Sequence, residues 1–143
     1  MTAERVRLTE AQRRDLTALA ERVEGLAGAC RETDVLIVQA LYPDIGPCEP
    51  HCAGDTPIFW NDPLYKKPCP PLTASLDAVV ALIERELPGW AWKCVKPVPG
   101  QWKSYGEVWA SDAGFFSGNA DTPALALLAA TLRALAALAR KEG

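Results

Sequence analysis

The chain has 143 residues, a formal net charge of -3, 49% hydrophobic and 23% charged residues, five cysteines and one histidine. This length fits one domain with a core that needs no staples, and the apolar content excludes a disordered chain. The mild negative charge argues against a general nucleic-acid binder, and one histidine excludes a site built on several.

The first residues carry no apolar stretch of the secretory kind, and the most apolar stretch, Thr122 to Arg140, is interrupted by Arg133. The expectation is a soluble cytoplasmic protein whose cysteines are thiols or metal ligands.

In chain order, the first expected element is an amphipathic helix from about Glu10 to Ala27. Leu16, Leu19, Ala20, Val23 and Leu26 recur at helical spacing. Thr9 with Gln12 has capping-box spacing, and Gly28 is a candidate left-handed cap. The run Asp34 to Tyr42, closed by Pro43, suits a buried strand or a short buried helix by periodicity alone.

Residues 43 to 72 hold eight of the twelve prolines. Proline removes donors and fixes φ, so the expectation is a long irregular loop without helix or inner strand. Loops of that length are usually functional or disordered.

A second amphipathic helix is expected from Thr73 to Leu87, capped by Thr73 or Ser75 and ended by Pro88-Gly89. Three strands follow: Trp90 to Lys96, Lys103 to Ser111, and Phe115 to Gly118 after the Asp112-Ala113-Gly114 turn. Trp90, Trp92 and Trp109 are expected to fill a helix-sheet core.

The last helix runs from Pro123 to about Arg140, with Thr122 as N-cap and proline at the first helical position. It is apolar nearly all round, so it is either central to the domain or meets a partner chain. The fold class is therefore α+β: a three-stranded antiparallel sheet packed with three to four helices, plus the proline-rich loop. The segments are 1–42 (N-terminal helices), 43–72 (loop) and 73–143 (helix, sheet, C-terminal helix) of a single domain.

Three strings together resemble a known family. They are Pro71-Leu72-Thr73-Ala74-Ser75-Leu76-Asp77-Ala78, then Gly89-Trp90-Ala91-Trp92, then Thr122-Pro123-Ala124-Leu125-Ala126-Leu127 through Arg133-Ala134. They resemble the "YTxSLDAA", "GWxW" and "TPALALxAAxLRA" strings of small phage and prophage proteins described as an alpha-beta-alpha sandwich domain. The resemblance spans about residues 71 to 139, with Leu72 standing where the family usually shows an aromatic residue. It implies a helix at Asp34 to Leu41, a phage context and the cytoplasm of a bacterial host. It brings no catalytic residues.

The sharpest chemical candidate is Cys48, His51 and Cys52 with Cys69 at the end of the loop. Three thiols and an imidazole form a permissible tetrahedral zinc set. His51 and Cys52 are adjacent, so Cys48, Cys52 and Cys69 with water or Cys94 is a variant. The plainer alternative is a loop with scattered thiols. Trp60, Tyr65, Lys66, Lys67, Trp102 and Lys103 form a candidate aromatic and basic binding surface, set against burial under the loop. A Cys-His pair of His51 with Cys30, Cys69 or Cys94 has no supporting motif, and the carboxylates Glu84, Glu86, Asp112 and Asp121 read as surface or caps. No nucleotide, hydrolase or metalloprotease motif is present. The expectation is a non-enzymatic phage or prophage protein that binds a host protein, for example to inhibit a host defence complex. The alternatives are a zinc-stapled nucleic-acid module through Lys66, Lys67, Lys93, Lys96 and Lys103, or a structural accessory protein. A homodimer through the Leu/Ala-rich helix is compatible with each.

Overall fold

The computed structural model describes residues 10–42, 48–50, 57–59, 67–96 and 103–142, with side chains described for 14–42, 69–96 and 103–138. Four helices are present: α1 (Glu10–Glu24), α2 (Arg31–Leu41), α3 (Leu76–Glu86) and α4 (Pro123–Glu142). Strands β1 (Cys48–Pro50), β2 (Pro57–Phe59) and β3 (Lys67–Pro68) form a small antiparallel sheet in that order. Strands β4 (Ala91–Val95), β5 (Ser104–Ala110) and β6 (Gly114–Ala120) form a larger one, also antiparallel and in chain order.

The α+β class and the antiparallel meander after the third helix are as the residue pattern requires. The small sheet is a correction, because residues 43–72 are not wholly irregular. Proline is accommodated there at strand ends: Pro57 opens the central strand β2 and faces Pro50, the last residue of β1.

α1 stops at Glu24, three residues short of its expected end. Gly25 N–H donates to both Glu21 and Arg22 carbonyls, at 3.2 and 3.1 Å, and closes the last turn. Gly28 is not left-handed, since the positive φ values among the described residues belong to Gly89 and Gly114. The Thr9–Gln12 capping box lies outside the described residues. Segment 31–41 is a helix rather than a strand. Ser75 caps α3 by accepting from Ala78 N–H at 3.2 Å, and Thr122 caps α4 by accepting from Leu125 N–H at 3.2 Å.

α4 answers the choice left open by its apolar girdle. From Ala124 to Ala136 every residue except Arg133 is buried. One side of the helix lies on β5 and β6, the other on α1 and α3. The protein is layered as sheet, central helix, outer helices. The surface expected to pair with a second copy through α4 is covered by the chain itself.

Cross-strand register assigns the faces of the main sheet. Trp92, Val108 and Phe116 form one row facing α4; Cys94, Gly106 and Gly118 form the next. The helix backbone sits on that second row. A Cβ on Gly106 would lie 2.5 Å from Leu127 N, and one on Gly118 would lie 2.5 Å from the Ala126 carbonyl oxygen. This close approach corrects the expected tryptophan core. Indoles cannot fit under α4, so of the three tryptophans only Trp90 packs at the core margin, stacked on Phe116 with centroids 6.2 Å apart. Trp92 is on the helix-facing side of the edge strand and is 37% exposed, and Trp109 is on the opposite face.

Arg133 carries the one charge on the buried part of α4. Its guanidinium grips Glu24 of α1 through two hydrogen bonds of 2.8 and 2.7 Å and also donates to the Ser117 carbonyl of β6 at 2.8 Å. Glu24 accepts in turn from Asn119 N–H at 2.9 Å. Arg133 holds the Glu24 carboxyl below its ordinary pKa, outweighing the opposing effect of burial.

Arg133→Met leaves Glu24 half-buried without its cation, and a loss of about 2 kcal/mol is expected in urea unfolding. Because Glu24 has a depressed folded pKa, its contribution is present above the unfolded glutamate value of ~4.3 and is lost as pH falls through the folded value. Glu24→Gln is therefore expected to flatten the acid limb of a stability–pH profile and to leave its neutral-to-basic slope unchanged.

Candidate functional site

The expected site residues are divided by what the structure describes. His51, Cys52, Trp60, Tyr65, Lys66 and Trp102 lie outside the described residues, as do the side chains of Cys48 and Lys67. Backbone register does bring their surroundings together. Cys48 pairs with Phe59, which pairs with Lys67, so the residue following Pro68 stands level with the end of β1. That residue is Cys69, which is buried with Sγ 3.7 Å from the Pro70 carbonyl. Among the described residues no group of three or more His, Cys, Asp or Glu is placed to hold a metal. Lys103 is exposed and has Asp121 3.6 Å away.

The outer face of the main sheet lies opposite the face on which α4 packs. Its cross-strand rows are Ala91–Trp109–Phe115, Lys93–Glu107–Ser117 and Val95–Tyr105–Asn119. The first row is apolar, and Phe115 is 68% exposed. The middle row carries the Lys93–Glu107 ion pair at 3.5 Å. Tyr105 hydroxyl donates to the same Glu107 carboxylate at 3.2 Å, which fixes the charge at the centre of the sheet. An aromatic step beside an ordered polar row can anchor another macromolecule.

A second polar cluster joins α2 to the turn before α3. Asp34 is fully buried and accepts from Thr73 N–H at 2.7 Å and from Arg31 Nη1 at 2.6 Å. Arg31 Nη2 donates to the Cys69 carbonyl at 2.7 Å, and Cys30 N–H donates to Thr73 Oγ1 at 2.8 Å. Burial raises the Asp34 pKa against these donors. Every polar group is matched internally, so the cluster serves as a joint. Two open grooves lie along the molecule's helices, of which only the second touches the cluster, at Thr73. One, of about 450 Å³, runs between α1 and α2 past Leu19, Arg22, Leu36 and Gln39. The other, of about 330 Å³, lies by Thr73, Leu76, Thr122 and Pro123.

Tyr42 closes α2 onto α3. Its hydroxyl donates to Glu86, and the Arg85 guanidinium lies over its ring. Burial, with the Glu86 carboxylate, pushes its pKa up to about 12. Glu86 is thus a structural acceptor, while Asp112 is exposed surface.

Sequence reasoning missed Cys30 as a distinctive thiol. It is the residue before α2, and its Sγ accepts from Thr33 Oγ1 at 3.1 Å. Those bonds from Thr33 favour the thiolate and lower its pKa, whereas burial raises that of Cys94. The available signal was Cys-x-x-Thr at a helix start, where side-chain and backbone donors meet. Phe115 was also missed as a surface residue. Its signal was position, since it faces outward opposite Trp109 beside a hairpin turn.

Among Cys30, Cys69 and Cys94, Cys30 is expected to be alkylated fastest near neutral pH. Thr33→Val is expected to move the midpoint of its rate–pH curve upward, read by mass spectrometry of iodoacetamide-labelled peptides. No helix among the described residues is long and apolar enough to cross a membrane. Compared with protein-family models, with curated proteins and with solved structures, the chain matches none.

Proposed function

We propose that this is a non-enzymatic binding protein that docks on another protein through the outer face of its main sheet. The observation that carries this reading is the Ala91–Trp109–Phe115 row, with a large aromatic side chain mostly in solvent beside the ordered Lys93–Glu107 pair. Protein interfaces concentrate their affinity in aromatic anchors bordered by polar groups. The partner class comes from the phage resemblance of the quoted strings. On that footing the partner is a host protein, and inhibition of a host defence complex is the concrete form. A stoichiometric inhibitor needs a surface and no catalytic group, which agrees with a face whose polar side chains bond one another.

The nucleic-acid alternative draws less support. Lys93 and Lys103 have Glu107 and Asp121 at 3.5 and 3.6 Å, so their field is partly compensated. Phosphate binding needs a net basic surface, and the chain carries -3.

Phe115→Asp is expected to abolish retention of a host protein that the wild-type chain pulls from lysate, with unchanged circular dichroism. Equal recovery by both proteins overturns the reading. Structural zinc at Cys48, His51, Cys52 and Cys69 belongs to the same proposal, as a staple for the proline-rich segment. Elemental analysis of protein purified without chelator is expected to give one zinc per chain, and none removes the staple.

A further inference from the structure

The two edges of the main sheet differ. On β6, Asn119 N–H and the Ser117 carbonyl bond to Glu24 and Arg133. Those groups therefore aim away from β5. In an antiparallel ladder, alternate residues aim their backbone groups to opposite sides. Phe116, Gly118 and Ala120 then bond to β5 at Val108, Gly106 and Ser104. Tyr105, Glu107 and Trp109 bond across to Val95, Lys93 and Ala91. On β4 this leaves the backbone groups of Trp92 and Cys94 aimed outward, and among the described residues nothing bonds to them. Solvent reaches this strand, with Trp92 37% and Val95 49% exposed. Proteins normally block an apolar edge of this kind, as Glu24 and Arg133 do on β6.

We propose that β4 pairs antiparallel with β4 of a second copy of this chain, about a twofold axis at Cys94, joining two three-stranded sheets into one of six strands. The charges select this register. An axis at Lys93 would set two lysines against each other in a close pair. An axis at Trp92 would set Val95 against Gly89, which stands before the strand with a positive φ. An axis at Cys94 sets Lys93 beside Val95 of the second copy and Trp92 beside Lys96 of the second copy, ring against ammonium. Cys94 then faces itself as an uncharged thiol. A twofold pairing uses the same edge on both copies, so neither edge stays open. The outer faces become continuous across the axis. This inference needs no partner protein, so its failure is separate from failure of the docking reading.

Light scattering across a concentration series is expected to give a mass approaching twice 15.5 kDa. Cys94→Pro removes an outward N–H and no β4–β5 ladder bond, so it is expected to give a folded monomer. Two further variants test the register with no proline. Val95→Glu places a carboxylate beside Lys93 of the second copy and is expected to tighten the dimer roughly 5-fold at low salt; Val95→Lys is expected to loosen it about as much. A monomer mass at every concentration overturns the proposal, as does a dimer whose dissociation constant these variants leave unchanged.

Discussion

The backbone of α4 rests on two glycines, Gly106 and Gly118, which stand side by side on β5 and β6. This contact sets the spacing of everything else. With no side chain between helix and sheet, the buried face of α4 is built from alanine there, including Ala126, Ala129 and Ala130. Larger side chains are displaced to where the layers diverge. The leucines of α4 contribute to the buried cluster that also holds Leu16, Ala20 and Val23 of α1, while Trp90 packs at its margin, Trp92 stays partly exposed on the edge strand and Trp109 takes the outer face. Overpacking such a contact is destabilising because the helix cannot yield on its other side, where α1 and α3 already lie.

A close-packed helix between two layers has room for one charge only if that charge is answered. Arg133 is answered twice, by Glu24 and by the Ser117 carbonyl. The same pair bonds two outward backbone groups of the β6 edge, the Ser117 carbonyl and the Asn119 N–H. One ion pair thus ties α1, α4 and β6 and also ends the sheet on that side. No comparable group reaches β4 among the described residues.

The residue pattern made the helices, the meander and the burial of α4 on more than one side readable, because each rests on local periodicity or on a cap: Ser75, Thr122 and the hairpin at Gly114; whether α4 was central or met a partner chain stayed open. Asp34 to Leu41 was ambiguous by period and is a helix, with Asp34 and Ile37, Val38 and Leu41 buried. The faces of the tryptophans were not readable. Period two divides a strand into two faces but does not say which face the helix takes. That choice is made by Gly106 and Gly118, whose meaning appears only when α4 is placed on them. The joint of Cys30, Asp34 and Thr73 links residues 43 and 39 apart, beyond any local signal. Arg133 could have been suspected of a buried partner as a lone charge in an apolar helix, but nothing local pointed to Glu24, 109 residues earlier. The β1–β2–β3 sheet was hidden because its prolines sit at strand ends, where composition alone reads as loop.

The pairing of α1 with α4 has a consequence during synthesis. A ribosome makes α1 early and α4 last among these elements. Until α4 leaves the exit tunnel, the apolar stripe of α1 and the inner face of the sheet lack the element both pack against. The nascent chain therefore carries unsatisfied apolar surface from the synthesis of α1 until that of α4, and closure of this core waits on that helix. A stall before α4 would release a chain that has its parts but no centre.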